Sequence, residues 1–78
     1  MQQMTVQIRS FAQVRDFVAL ASRQPFDVLV GNTEHPINAK SLFAMLGLSY
    51  RHPLQVRAEC DAAAFDAFRQ EAAPFVVA

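Results

Sequence analysis

The spacing of apolar residues changes at Ser10, and that change fixes much of what this chain can become. Before it, Met4, Val6 and Ile8 alternate with Thr5, Gln7 and Arg9, the two-residue period of a half-buried strand. After it, Phe11, Val14, Val18 and Ala21 recur at steps of three and four, with Phe17 and Leu20 widening the stripe. That is the pattern of an amphipathic helix. Ser10 and Gln13 predict a capping box at the junction, with side-chain oxygens meeting otherwise unpaired N–H groups. Pro25 predicts the stop, because the residue before a proline is pushed out of the α region.

The same reading carries on along the chain. Phe26-Asp27-Val28-Leu29-Val30 is β-rich and apolar on both sides of the alternation, which predicts a central strand. Gly31-Asn32-Thr33-Glu34 carries turn residues, and His35-Pro36-Ile37-Asn38 fits the return strand of a hairpin. Pro36 has no N–H, so that strand should lie at an edge or pair weakly there. Ala39 to Leu48 reads as a short helix with Leu42, Met45 and Leu46 on one side, and Tyr50 to Pro53 as a loop. Leu54, Val56 and Ala58 then alternate as a fourth strand. Asp61 caps a last helix whose stripe is Ala64, Phe65, Phe68 and Ala72, closed by Pro74. The apolar tail Phe75-Val76-Val77-Ala78 has three open placements: across the sheet, against an edge strand of a second copy, or disordered. The order β-α-β-β-α-β-α predicts an α+β domain, a largely antiparallel sheet with helices packed on one face.

Composition removes several classes of function. With 78 residues there is room for one domain, residues 1–78, and a thin core. Charged residues make up 18% and cancel to a formal net charge of zero, which argues against nucleic acid as a partner, since phosphate binding needs a basic face. Cys60 stands alone, so no internal disulfide forms. The polar start Met1-Gln2-Gln3-Met4-Thr5 does not look like a signal peptide. No apolar run approaches the roughly 18 residues of a membrane span. The expectation is a cytoplasmic chain with no membrane partner. His35, His52 and Cys60 lack ligand spacing, so no metal is expected. The two glycines, Gly31 and Gly47, build no phosphate loop, and no cofactor is expected.

The segment Ile37-Asn38-Ala39-Lys40-Ser41-Leu42-Phe43-Ala44-Met45-Leu46 resembles the Val-Asn-Ala-Lys-Ser-Ile-Met-Gly-Met-Met region of HPr, the histidine-containing phosphocarrier of the bacterial sugar phosphotransferase system. Phe17-Val18 lies where that family has its first-helix Phe-Val or Leu-Val pair. Gln55-Val56-Arg57-Ala58-Glu59 is similar to its last strand, and the Ala-rich helix that follows also corresponds. The resemblance spans nearly the whole chain and is most specific from Asn38 to Ser41. It implies an HPr-like open-faced β-sandwich, with a four-stranded antiparallel sheet and three helices on one face.

The departures from that pattern are as informative. HPr proteins begin the first helix with Gly-Ile/Leu-His-Ala-Arg-Pro-Ala. Matched back from Phe17-Val18, this chain reads Ile8-Arg9-Ser10-Phe11-Ala12-Gln13-Val14. Ser10 stands in the place of the phosphorylated histidine and Ala12 in that of the phosphate-clamping arginine. Phosphohistidine chemistry needs an imidazole at a helix N-terminus and a cation beside the phosphoryl group. The resemblance therefore implies a non-enzymatic, regulatory or partner-binding HPr-like protein that does not transfer phosphate through histidine. Two alternatives stay open: an HPr-shaped domain recruited to an unrelated binding role, and a phosphocarrier using a non-standard residue.

Each candidate residue also has a structural reading. Ser10 is an N-cap or, with Arg9 and Arg15, an anion site. Ser41 is an N-cap or, as in some HPr proteins, a regulatory phosphoserine beside Lys40. Leu42, Phe43 and Leu46 match the apolar patch that HPr-type proteins dock with, and Lys40 beside them is counted with this partner-binding set. Core packing is favoured for Leu42 and Leu46, whereas Phe43 lies off the expected buried side. The resemblance implies protein partners: phosphotransferase components, a serine kinase or a transcriptional regulator.

Overall fold

The computed structural model describes residues 2–31 and 34–77. Its elements run β1 (Gln2–Val6), α1 (Phe11–Ser22), β2 (Val28–Val30), β3 (Ile37–Asn38), α2 (Leu42–Leu46), β4 (Leu54–Ala58) and α3 (Ala62–Glu71). The strands form one sheet in the order β1-β4-β2-β3, with every neighbouring pair antiparallel. This is the expected α+β arrangement of four strands and three helices. No helix among the described residues is long and apolar enough to cross a membrane.

Alternation places the core on one face of the sheet. In β4, Val56 lies opposite both Met4 of β1 and Val30 of β2, and all three are buried. Thr5, Leu29 and Arg57, one residue out of phase, are only partly covered. Against the buried face α1 sets Val14, Phe17, Leu20 and Ala21, and α3 sets Phe65 and Phe68. Phe68 is the hub of an aromatic cluster: its ring lies 6.5 Å from Phe17, 5.8 Å from Phe26 and 6.5 Å from Phe65. Phe75 meets Phe17 edge-on at 5.5 Å. Five of the seven phenylalanines are used this way, which leaves Phe11 and Phe43 for the surface.

Several expected boundaries shift, each for a local reason. The strand expected from Phe26 begins at Val28, because Phe26 turns to the Phe68 ring. The return strand expected from His35 is confined to Ile37–Asn38 at the sheet edge, just after Pro36, where a missing N–H is tolerated. Gly31 adopts φ 102° at the turn, a left-handed conformation that glycine reaches at little cost. Asn32 and Thr33 of that turn lie outside the described residues.

The helix expected over Ala39–Leu48 forms only from Leu42 to Leu46. Asn38 uses its side-chain oxygen to accept from the Lys40 N–H at 2.9 Å, and its carbonyl accepts from the Ser41 N–H at 3.0 Å. This local turn competes with helix and delays it until Ser41. The tail takes a placement different from the expected ones. Val76 bridges antiparallel to Val6 of its own β1, with Gln7 N–H donating to Phe75 O at 2.7 Å and Val77 N–H to Thr5 O at 2.9 Å. A short apolar segment can satisfy an open sheet edge in this way. Ala78, the last tail residue, lies outside the described residues.

Candidate functional site

The start of α1 and the end of α2 come together in one groove. Ser10 is the N-cap of α1, in extended conformation, and its Oγ accepts from the Gln13 N–H at 3.2 Å. The reciprocal contact expected of a capping box falls one residue early: Gln13 Oε1 accepts from the Arg9 N–H at 2.6 Å. The groove has a volume of about 300 Å³ and is lined by Arg9, Ser10, Phe11, Val14, Leu46 and Tyr50. Its walls are mainly apolar, with Arg9, Ser10 and Tyr50 as the polar residues. Ala12 sits exposed in the first turn of α1.

Around α2 the structure corrects one expectation and bears out another. Leu42 and Leu46, for which core packing is favoured by their spacing, are 36% and 47% exposed, and Phe43 is 92% exposed. A five-residue helix makes fewer than two turns, so one position suffices to reach the core, and that position is Met45. Phe11, read as part of the buried stripe of α1, is 56% exposed. Phe11, Leu42, Phe43 and Leu46 are thus exposed apolar residues on α2 and the adjoining start of α1.

The remaining candidates sit apart from the groove. Ser41 caps α2, its Oγ accepting from the Ala44 N–H at 3.3 Å. Lys40 is committed elsewhere, its Nζ donating to Gln24 O at 2.9 Å beyond the end of α1. His35 and His52 are both exposed, and neither lines the groove. Among the described residues no group of three or more His, Cys, Asp or Glu is placed to hold a metal ion. The Cys60 thiol is pushed up by burial first and by the Asp61 carboxylate second, which disfavours the reactive thiolate.

Sequence reasoning missed Tyr50, which it read only as loop. Its hydroxyl donates to Met45 O at the end of α2, and its carbonyl accepts from Gln7 Nε2 at 3.2 Å. The residue therefore ties the loop to the end of α2 and to the segment between β1 and α1. Burial raises its phenol above the ordinary value of 10.0. A raised folded-state pKa means the folded chain favours the neutral phenol. The associated stability is fully present below pH 10 and is lost as pH rises through the folded value. Tyr50→Phe is expected to cost about 1 kcal/mol at neutral pH through the lost hydrogen bond and to abolish this alkaline decline. Urea denaturation of both proteins from neutral to strongly alkaline pH checks the two effects; parallel curves would remove Tyr50 from this role.

Comparison with known proteins agrees with this architecture. No family model matches the chain, and no curated protein matches it in sequence. Among solved structures, the crystal structure of HPr-C-His from Thermoanaerobacter tengcongensis matches with a TM-score of 0.69 at 24% sequence identity, covering 92% of this chain and 93% of that one. At that identity the likeness is one of architecture, and it extends over nearly the full length of both proteins: the chain has the HPr-like fold.

Proposed function

We propose that this chain is an HPr-like protein that acts by docking protein partners on the α1–α2 surface and does not carry a phosphohistidine. The observation that carries this reading is the exposure of Phe43, at 92%, beside the partly exposed Leu42 and Leu46 and close to a groove already walled by Phe11 and Leu46. Clustered apolar surface of this kind has a cost in water, and a partner that covers it recovers that cost. Ser10 supports the second half of the reading. Where the resemblance puts the reactive histidine there is a hydroxyl engaged in capping α1, and Ala12 offers no cation. Non-enzymatic and cytoplasmic roles follow from the same reading.

Ser41 remains the proposed place of regulation. Its hydroxyl already faces the opening turn of α2, and a phosphate there would add charge at the edge of the docking surface. Lys40 enters the proposal as a helix-anchoring residue, because its ammonium is held by Gln24 O.

The test has two arms. Incubation of the chain with phosphoenolpyruvate and the upstream phosphotransferase enzyme is expected to give no acid-labile phosphate; acid-labile labelling of a histidine would sink the non-carrier half. Titration with purified phosphotransferase components, followed by amide resonances, is expected to broaden the signals of Phe11, Leu42, Phe43 and Leu46. Perturbation confined to α3 or to the open sheet face would contradict the docking half.

A further inference from the structure

The tail, Gln7, Tyr50 and the end of α2 are joined by an unbroken series of hydrogen bonds. Phe75 anchors the tail, 8% exposed and edge-on to Phe17, and its carbonyl accepts from the Gln7 main-chain N–H at 2.7 Å. From the same residue, Gln7 Nε2 reaches across to Tyr50 O at 3.2 Å. The Tyr50 hydroxyl then donates to Met45 O, and Tyr50 is itself one of the groove-lining residues. Gln7 is thus held by the tail through its backbone and holds the groove-lining Tyr50 through its side chain.

We propose that residues 75–77 form a latch that sets the shape of the α1–α2 groove through Gln7 and Tyr50. As a means of regulating docking, this rests on the function proposed above; the coupling itself does not. Three residues at a sheet edge with one aromatic anchor belong to the less stable end of a fold, so docked and released tails are the two states that coupling requires. With the tail docked, Gln7 is fixed between Phe75 and Tyr50. With it released, the Gln7 backbone loses its partner on the edge side, and its amide no longer holds the Tyr50 carbonyl in place.

The chain has one tyrosine and no tryptophan, so its tyrosine emission reports on Tyr50 alone. Phe75→Ala and Val77→Pro both release the tail, the second by removing the N–H that reaches Thr5 O. Release is verified by faster hydrogen exchange at the Gln7 amide. Each variant is expected to shift the Tyr50 emission and to lower protection of the Gly47 and Leu48 amides about fivefold, the size of one lost hydrogen bond. Gln7→Met, which keeps the backbone N–H, is expected to give the same changes by itself, and adding Phe75→Ala to it adds nothing further. Should Phe75→Ala fail to fold, Val77→Pro carries the test, because the Val77 side chain is 51% exposed.

An unchanged Tyr50 signal with an exposed Gln7 amide overturns the proposal, as does a Phe75→Ala effect that persists in the Gln7→Met background. A Gln7 amide that stays protected in both tail variants overturns it too, since the segment is then not held by these contacts. Failure of the docking function alone would leave all the emission changes intact.

Discussion

Phe68→Ala is expected to remove a large share of the cooperative stability of this chain. A 78-residue domain at roughly 0.05–0.15 kcal/mol per residue holds about 4–12 kcal/mol in total. Truncating a buried phenylalanine costs about 3–5 kcal/mol, from lost transfer energy and from the cavity left behind. Phe68 belongs at the upper end of that range. It is fully buried and is ringed by Phe17, Phe26 and Phe65, which come from three different parts of the chain and cannot all move into the vacated space. Thermal and urea unfolding are expected to show a transition shifted by several kcal/mol or no native baseline at all. Phe68→Leu, which keeps much of the volume, is expected to lose far less. A loss of under about 1 kcal/mol for the alanine variant would mean that the cluster repacks and that α3 is not fixed by this ring.

The parts of the fold that sequence made legible are those where one period runs long enough to average over exceptions. Met4, Val6 and Ile8 are all buried, as are Val56 and Ala58, and α1 and α3 bury the expected Val14, Phe17, Leu20, Phe65 and Phe68. Periodicity fails where an element is short or where a side chain competes with it. In α2, Asn38 diverts the backbone into a turn, and five helical residues leave Leu42 and Leu46 facing outward. The stripe of α1 misassigned Phe11, which stands 56% exposed on the wall of an open groove with Leu46 and Tyr50 and is not covered by the sheet. The tail had no period at all. Its position depends on an unpaired edge of β1 and a gap beside Phe17, and both exist only after the rest has folded. Of the candidate site, the caps Ser10 and Ser41 were readable from local chemistry. The groove was not, because Ser10 is distant in sequence from Leu46 and Tyr50 and meets them only through the packing of α1 against α2.

Phe43→Asp is expected to abolish partner docking while leaving the fold unchanged, the reverse of the Phe68 result. The side chain is 92% exposed, so its removal leaves no cavity, and surface changes of this kind usually fall within about 0.5 kcal/mol. The new carboxylate would lie in the first turn of α2, where the helix dipole favours negative charge. Any loss of binding therefore cannot be traced to loss of structure. At an interface, by contrast, a central aromatic anchor contributes about 2 kcal/mol or more, equal to a roughly 30-fold or greater fall in affinity, and a charge placed there must also be desolvated. Ala67→Asp supplies the control, adding the same charge to an exposed position on α3. The measurement is the affinity of the three proteins for one purified phosphotransferase component, with thermal unfolding run alongside. Native-like binding by Phe43→Asp would move the docking surface away from α2. Equal weakening by both variants would show that net charge, and not the apolar anchor, governs association.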